Sequence, residues 1–262
     1  MGDKEVWDGM IKDGLWDPYD DVHMGSCGEK CAREMKISRK EQDDYSIESL
    51  RRALAAHQSG RLAKEVVPVE ARAGRKTVTV AEDEPLAALG AVDEAKIRGL
   101  KPAFDRAKGT ITAANASTIS DGAAALVLMS DAKCASLGAK PIARILGFSD
   151  AEQEPVKFPT TPAIAVKKLL AKFPQLSLQD VEAFEINEAF AAVVIANMRI
   201  LGIPHGKVNK VGGGVAVGHP IGCSGARILV TLLNVLEGPG SLGVAAICNG
   251  GGGATAMLVE KL

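Results

Sequence analysis

The 262-residue sequence predicts an α/β fold with a layered core in its C-terminal half and an irregular region before it. From residue 121 onward, short apolar runs alternate with segments of helical periodicity, which is the pattern of a sheet covered by helices. Residues 1–120 show no such alternation. We therefore expect a lid or loop domain over residues 1–120, the end of one α/β half over 121–142, and a compact α/β domain over 143–262.

The first region contains one clear helix signal and one hairpin signal. Ser38 is followed three residues later by Glu41, which fits a capping box and predicts a helix that ends at Gly60. The segments KEVVPVEA and KTVTVAED flank Gly74 and predict two short strands joined by a turn. Residues 81–108 are charged and typical of helix or loop.

The second region is predicted to contain strands that are buried on both faces. Gly122 opens the run GAAALVLM, which is continuous and apolar as in such strands. Thr161 and Pro162 fit an N-cap followed by proline at the first helical position. Further strands are predicted in PIARILGFS, VEAFEIN, GVAAICN and ATAMLVEKL, and helices in AIAVKKLLAKF, EAFAAVVIANMRILG and PIGCSGARILVTLLNVLE.

Charge and cysteine content weigh against several classes of protein. The formal net charge is −1 and no polybasic run is present, so nothing favours non-specific binding to nucleic acid or to a membrane surface. No apolar run reaches the roughly 18 residues of a membrane span. Five cysteines at irregular spacings are typical of reduced thiols. We expect a protein that is not secreted, and both cytoplasm and mitochondrion fit this expectation.

Three segments share one layout, in which a buried strand ends in a polar residue and small residues follow. They are Asn187 in EINEAF, His219 in GGGVAVGHP, and Cys248 in CNGGGG. Ligands bind outside the carboxyl ends of strands in open α/β sheets, so we expect these three side chains to converge on one cleft. Each also has a structural explanation, as a turn residue, a loop residue and a small buried hydrophobe respectively. The density of glycines favours a binding surface, because bare backbone N–H groups can form an oxyanion hole.

Five motifs, in this order and with these gaps, resemble the thiolase family over the chain from about residue 7 to its end. They are HMGSCGEKCA, GTITAANASTISDGAAALVLM, NEAFA, GGGVAVGHPIGCSGAR and CNGGGGA. The segments AICNGGGGATAML and EINEAFAAVVIANMRILG are most similar to acetyl-CoA acetyltransferases. The resemblance implies the thiolase-type layered αβαβα fold, here the lid region with the C-terminal βαβ half.

The resemblance implies an acid–base role for the strand-end residues. His219 is implied to activate a nucleophilic cysteine and to hold the thioester oxygen, and Asn187 to position a water in the same oxyanion hole. Cys248 is implied to move a proton at the α-carbon of acetyl-CoA, and the Gly250 N–H to contribute to a second oxyanion hole. The implied reaction is the reversible Claisen condensation of two acetyl-CoA to acetoacetyl-CoA and CoA.

The resemblance also implies how the substrate is bound. Two residues, His23 and Met24, are implied to shape the acyl pocket, Phe104 and Ser117 to contact the pantetheine arm, and Phe190 to wall the site. CoA thioesters are the implied substrates, without a redox cofactor, and the full-length form is implied to be a homodimer or homotetramer.

Two positions depart from patterns found among relatives. Some mitochondrial members bind potassium with a tyrosine where this chain has Leu50, so potassium is in doubt; the remaining candidate ligands are the carbonyls of Ala113, Ala114, Ala116 and Val215. A basic residue that often holds the adenine or phosphate end of CoA is replaced near Ala87 and Ala88, and we expect Arg98 or Lys101 to compensate.

The largest departure concerns the nucleophile. Thiolases keep their acylated cysteine in a Cys-x-Ser-Gly sequence, and none of the five cysteines here has that context. Cys223 precedes Ser-Gly, but it lies in GHPIGCSGAR, where the family shows variable small residues, so we expect it to be structural. We therefore expect a catalytically incomplete chain, the acid–base half of the enzyme with its N-terminal half largely missing.

Four other interpretations are weighed against this one. His23, Cys27 and Cys31 recur every four residues and would share one helix face, as three zinc ligands do, but no fourth ligand follows. A non-catalytic thiolase-like protein that binds CoA esters fits the same motifs, as does a 3-ketoacyl-CoA thiolase of broader chain length. A decarboxylating ketoacyl synthase would carry a second histidine at Asn187.

Overall fold

The computed structural model describes residues 2–262, which contain ten α-helices and eight strands. The helices are α1 Gly9–Gly14, α2 Met24–Glu34, α3 Arg39–Gln58, α4 Glu84–Ala88, α5 Glu94–Gly99, α6 Asp131–Leu137, α7 Thr161–Leu170, α8 Ala191–Leu201, α9 Gly214–Val217 and α10 Ile221–Val235. The strands are β1 Trp16–Asp17, β2 Val22–His23, β3 Val69–Ala73, β4 Lys76–Val80, β5 Ala143–Glu152, β6 Val181–Ile186, β7 Leu242–Cys248 and β8 Gly253–Lys261.

The core of the C-terminal half is a four-stranded mixed sheet in the order β5-β8-β7-β6. Strands β6 and β7 run parallel, so their carboxyl ends lie at the same edge of the sheet. Side chains such as Phe184 and Ile186 face a cluster that includes α7 and α8, whereas Ala183 and Ala245 face α10. Both faces are therefore covered by helices, which confirms the predicted layered α/β arrangement.

The first half folds around the long helix α3. The Ser38 hydroxyl accepts a hydrogen bond from the Glu41 N–H, and the Glu41 carboxylate accepts one from the Ser38 N–H, so the predicted capping box is present. The strands predicted on either side of Gly74 form the antiparallel hairpin β3–β4. The sheets of this half are two-stranded antiparallel ribbons, β1–β2 and β3–β4, and the proposed domain limits remain a prediction.

The strand predicted in residues 122–129 is wrong. Residues 121–130 carry no helix or strand, and Val127 and Leu128 are 85% and 71% exposed. An apolar run supplies side chains for a buried strand but not the neighbouring backbone to which the strand must hydrogen-bond. Among residues 2–262, nothing pairs with this segment as a ladder.

The predicted N-cap at Thr161 is also wrong by one residue. Helix α7 begins at Thr161, its N-cap position is Thr160, and neither hydroxyl caps the helix. The Thr161 hydroxyl instead donates to the carbonyl of Gly252 at 2.9 Å. The Thr161 hydroxyl therefore makes a tertiary hydrogen bond in place of the helix cap that the local sequence pattern predicts.

Within the described residues no helix combines the length and the hydropathy needed to cross a bilayer.

A buried carboxylate joins the two halves of the chain. Glu188 is fully buried just beyond β6 and accepts four hydrogen bonds. The Tyr45 hydroxyl and the Asn209 amide donate to Oε1 at 2.7 and 2.9 Å. The Ser49 hydroxyl and the Val215 N–H donate to Oε2 at 2.8 and 2.9 Å. Since these donors come from α3, α9 and the segment after α8, one side chain holds three separate pieces of the structure together.

We predict that Glu188→Gln destabilises the fold by at least about 2 kcal/mol. The amide NH₂ would face two donors, and each buried donor left unpaired costs about 1–3 kcal/mol. The matched control is Glu182→Gln on the same strand, where a partly exposed ion pair with Lys210 predicts a loss below about 1 kcal/mol. Urea unfolding followed by circular dichroism measures both; equal losses would show that the Glu188 contacts are not a special source of stability.

Candidate active site

Asn187 and His219 meet at the edge of the sheet where β6 ends. The Asn187 N–H donates to the Ala246 carbonyl on β7, so this residue continues the strand ladder by one step. Its side chain is buried, and Nδ2 lies 3.2 Å from His219 Nε2. Asn187 Oδ1 is buried and has no hydrogen-bond partner among the described residues. An orphaned acceptor at this position is suited to a ligand or a bound water.

The His219 ring is held from behind by Ser224. Nδ1 lies 2.5 Å from the Ser224 hydroxyl, which donates in turn to the Pro220 carbonyl at 3.2 Å. Since the Asn187 amide nitrogen can only donate, its contact assigns Nε2 as the acceptor and places the imidazole proton on Nδ1, facing the Ser224 hydroxyl. Burial lowers the pKa of His219 to about 4, and the positive charge of Arg227 lowers it further. At neutral pH, His219 is an uncharged base.

The backbone at His219 is fixed by the residues around it. The His219 N–H donates to the Thr118 carbonyl at 3.0 Å. Gly218 adopts a φ of 91°, and a Cβ there would lie 2.1 Å from the Ser120 hydroxyl oxygen. Only glycine satisfies both the backbone angle and the contact.

Cys248 ends β7, the strand next to β6. Ile186 pairs with Ala246 in this parallel ladder, so Cys248 and Asn187 lie at the same edge on neighbouring strands. The thiol packs against an apolar cluster that contains Met24, Phe104 and Phe190. Burial raises its pKa to about 12, with a smaller contribution from the nearby Cys31 thiol. The thiol is therefore protonated at neutral pH and can serve as a proton donor.

The glycines after Cys248 form the turn between β7 and β8. The Asn249 side chain accepts from the Gly251 N–H, and the Gly252 N–H donates to the Asn249 carbonyl. A Cβ on Gly250 would lie 2.7 Å from the Met24 methyl group, so Met24 packs directly on this backbone. Gly252 has a φ of 89°, and a Cβ there would lie 2.3 Å from the carbonyl oxygen of Gln153.

His23 and two phenylalanines line the apolar side of the site. His23 Nδ1 accepts from the Gly25 N–H at 3.0 Å and so caps α2, and burial lowers the pKa of this imidazole. Its ring lies 4.8 Å from that of Phe104, which meets Phe190 edge-on at 6.2 Å. Gly25 gives Phe104 room to lie against the helix, since a Cβ there would be 2.3 Å from the ring.

Ser117 belongs to a segment that passes between the loops of Asn187 and His219. Its N–H and its hydroxyl both donate to the Ala189 carbonyl, at 3.1 and 3.0 Å. The preceding Ala116 forms an antiparallel bridge with Phe190. The structure thus places Ser117 against the loop that follows Asn187, with its hydroxyl already engaged.

The residues considered for metal binding are less well placed. Leu50 is partly buried against the α10 apolar cluster and offers only hydrocarbon. A potassium ion would then need an oxygen ligand from elsewhere, besides the carbonyls of Ala113, Ala114, Ala116 and Val215. The chemistry proposed for this site therefore does not use potassium.

The three zinc candidates have other roles. His23 caps a helix through Nδ1, Cys31 packs in the core cluster, and Cys27 Sγ lies 3.9 Å from the His23 carbonyl. In residues 2–262 no three His, Cys, Asp or Glu side chains form a metal-binding group.

Arg98 was expected to replace the basic residue that often holds the adenine or phosphate end of CoA. Its guanidinium is already paired with Asp44 at 2.7 Å and Glu94 at 3.3 Å. Ala87 and Ala88 lie on α4. Whether Arg98 or Lys101 contacts a ligand stays a prediction.

Sequence reasoning missed two residues that support the site, Ser224 and Glu188. Ser224 lies on α10, five residues after His219, within the motif GGGVAVGHPIGCSGAR. A serine on the inner face of a helix, one turn after a loop histidine, was the available signal. Glu188 follows Asn187 directly, and its partners are more than 20 residues away in the chain, so no local pattern identifies it.

Comparison with known proteins gives consistent results. The family model described as Thiolase, N-terminal domain matches residues 1–132, and Thiolase, C-terminal domain matches residues 139–261. The chain is 51% identical over 265 residues to acetyl-CoA acetyltransferase 2 of Arabidopsis thaliana, with 100% of this chain and 65% of that protein covered. It is 48% identical over 262 residues to the mitochondrial acetyl-CoA acetyltransferase of Mus musculus, with 100% and 61% covered.

Two solved structures share the fold. The Bacillus anthracis acetyl-CoA acetyltransferase has a TM-score of 0.94 at 40% identity, with 100% of this chain and 66% of that chain covered. The Acat5 thiolase from Ascaris suum, solved in complex with coenzyme A, has a TM-score of 0.89 at 41% identity and the same coverage. The chain thus spans slightly less than two thirds of the length of these relatives.

We predict that Gly252→Ala destabilises the chain by about 1–3 kcal/mol or more, because it combines a positive φ with a contact to a rigid backbone oxygen. Gly251→Ala is the matched control, since its Cβ would meet only the Asn249 amide oxygen at 3.3 Å. Thermal unfolding of both variants measures the difference. A Gly252→Ala variant as stable as Gly251→Ala would contradict the fixed loop geometry.

We predict that Ser224→Ala changes the tautomer of His219. Without the hydroxyl, Nδ1–H loses its acceptor and only the Asn187 amide still favours this tautomer, so the more common Nε2–H form gains population. ¹⁵N NMR of the imidazole reports the tautomer directly, and Ser224→Thr, which keeps a hydroxyl, is the control. An unchanged ¹⁵N spectrum in Ser224→Ala would show that Ser224 does not determine the tautomer.

Proposed function

The chain belongs to the thiolase family, and we propose that it supplies the acid–base half of an acetyl-CoA acetyltransferase. The observation that carries the proposal is the Ser224–His219–Asn187 hydrogen-bond series, which presents a neutral imidazole at the strand edge shared with Cys248. The substrates proposed are acetyl-CoA, acetoacetyl-CoA and CoA. The similarity to named acetyl-CoA acetyltransferases at about half identity supports this substrate class.

In the proposed first step, His219 Nε2 removes the proton from a nucleophilic cysteine thiol. The thiolate attacks the thioester carbonyl, and CoA leaves as a thiolate that takes the proton back from Nε2. A neutral imidazole suits this role, because its pKa near 4 leaves the lone pair free at neutral pH. The protonated ring and a water on Asn187 Oδ1 would then stabilise the oxyanion.

Cys248 is proposed to act at the α-carbon. In thiolysis, the nucleophilic cysteine thiolate attacks the C3 ketone of acetoacetyl-CoA, and cleavage of the C2–C3 bond leaves an acetyl-cysteine, which CoA then takes up as acetyl-CoA. The acetyl-CoA enolate that departs in this cleavage must gain a proton. The Cys248 thiol, protonated at neutral pH, donates that proton. Condensation requires the reverse transfer, in which the Cys248 thiolate removes an α-proton and the enolate attacks the acylated cysteine. The Gly250 N–H is proposed to stabilise the enolate oxygen.

The proposed acyl group would lie between Gly250 and an apolar wall. Met24 packs on Gly250, and the rings of His23, Phe104 and Phe190 enclose the apolar side. Ser117 and Phe104 are proposed to lie along the pantetheine arm. None of the five cysteines stands in a Cys-x-Ser-Gly sequence, so we propose that the nucleophile is not among the residues of this chain. Homodimeric or homotetrameric assembly of the complete enzyme is part of the same proposal.

A non-catalytic protein that binds CoA esters is the second candidate function. It is favoured by one observation, the absence of a Cys-x-Ser-Gly cysteine from the 262 residues. Both functions predict binding of acetoacetyl-CoA, and only the first predicts turnover by a longer form of the protein.

We predict that the 262-residue chain cleaves no acetoacetyl-CoA in the presence of CoA, and that a longer form does, made by fusing the preceding part of the Arabidopsis thaliana relative ahead of residue 1. In that longer form, His219→Ala and Cys248→Ala should each lower kcat by about 10²–10⁴-fold, as expected for loss of a general acid or base. Cys223→Ala is the matched control and should keep its activity. The loss of the acetoacetyl-CoA enolate absorbance is the measurement.

Turnover by the 262-residue chain would mean that Cys223 or Cys27 is the nucleophile. Full activity in Cys248→Ala would refute the acid–base assignment, and a longer form that binds acetoacetyl-CoA without cleaving it would favour the non-catalytic function.

A further inference from the structure

Beneath the Asn187–His219 pair lies a second pair of polar residues that the proposed reaction does not use. Glu185 is two residues before Asn187 on β6, and alternation along the strand places both side chains on the α10 side of the sheet. Arg227 is three residues after Ser224 on α10, on the same inner face of the helix. Its Nη1 lies 3.8 Å from Glu185 Oε2. The Glu185–Arg227 pair therefore lies next to the Asn187–His219 pair. Glu185 is two residues from Asn187 along the strand direction, and Arg227 is one helical turn from Ser224.

Glu185 is an unusual residue for this position. Its side chain is 1% exposed, and Oε1 has no hydrogen-bond partner within residues 2–262. The 3.8 Å distance to Arg227 is too long for a hydrogen bond, so this guanidinium does not satisfy the carboxylate. An ionised carboxylate with so few partners is costly in the protein interior, whereas a protonated one is much less so. Burial accordingly raises the pKa of Glu185 to about 8, against the opposing effect of Arg227.

The charges that face this pair come from several elements. Glu185 faces Arg227 from α10, Glu188 from the end of its own strand, and Glu65 from the short 3₁₀ turn after α3. Arg227 acts on Glu65 and Asp83, two half-buried acids whose pKa values are raised by loss of solvent. It also acts on His219, where its positive charge disfavours protonation of the ring. The positive charge of Arg227 is thus shared between the acids of this region and the proposed base.

We propose that Glu185 and Arg227 are positioning residues that form an ionisable layer beneath His219, and that the charge of Glu185 is felt at the His219 ring through Arg227. While Glu185 is protonated, the guanidinium is unbalanced and keeps the imidazole neutral. When Glu185 loses its proton, the carboxylate offsets the guanidinium, and the proton affinity of Nε2 rises. The importance of this coupling for catalysis rests on the proposed function, but the coupling itself can be measured without turnover.

The test is a ¹⁵N NMR titration of the 262-residue chain with labelled histidine, from pH 3 to pH 10. The chain has four histidines, and His219→Gln assigns the His219 signals. We expect the Nε2 shift of His219 to show a main transition near pH 4 and a second, smaller inflection near pH 8. Glu185→Gln should abolish the second inflection and leave the first in place, because glutamine resembles the protonated acid.

Two further variants separate this coupling from other causes. Glu65→Gln removes another acid near Arg227 and should keep the inflection. Arg227→Met should move the main His219 transition upward from pH 4, since the positive charge that opposes protonation is gone. An inflection that persists in Glu185→Gln, or its absence from the unmodified chain, would overturn the proposal.

If Glu185→Gln fails to fold, a ¹³C titration of the Glu185 carboxyl in the unmodified chain decides the question. A Glu185 transition near pH 8 that coincides with the His219 inflection supports the coupling, and one below about pH 6 contradicts it. Neither result depends on whether the longer protein is an acetyl-CoA acetyltransferase, because no step of the measurement involves substrate.

Discussion

The carboxylate of Glu188 is the contact on which the arrangement of the site depends. A buried charge is tolerated only when its acceptor sites are filled, and here four donors fill them. The donors belong to α3, α9 and Asn209, so the loops on either side of the site must be folded before the charge is satisfied. Because Glu188 follows Asn187 directly, the same contact that joins the two halves of the chain also fixes the polar end of β6.

The alternation of side chains along β6 separates support from chemistry. Ile186 and Glu188 face the α3 and α8 side, where they take part in packing and in the hydrogen-bond cluster. Glu185 and Asn187 face α10. There Glu185 lies beside Arg227, and Asn187 contacts His219, which Ser224 holds from the other side. The β6 segment therefore has one face that packs and one face that carries the polar groups. Substitutions on the first face should mainly change stability, and substitutions on the second should mainly change protonation near His219.

Much of the fold could be predicted from local patterns. The capping box of α3, the hairpin about Gly74, and the strands and helices after residue 140 all depend on near neighbours in the chain. The glycine-rich strand ends, a local signal, also pointed to Asn187 and His219, whose side chains lie 3.2 Å apart, and their catalytic role stays a prediction. The errors at residues 122–129 and Thr161 have one origin, because in both cases a partner distant in sequence decides the outcome. The same is true of Glu188, whose role is invisible until the distant donors are known.

Under the proposed function, the two ends of the glycine turn after Cys248 have a consequence for the choice of acyl group. Asn249 holds the turn on one side, and Gln153 and Thr161 hold Gly252 on the other, so the backbone is a rigid wall. Met24, which packs on that wall, is the deformable side of the enclosure, since an unbranched thioether side chain adapts to the shape of its surroundings. If the proposed acyl site is correct, a change in the size of the acyl group is accommodated through the Met24 side chain and not through the glycine backbone.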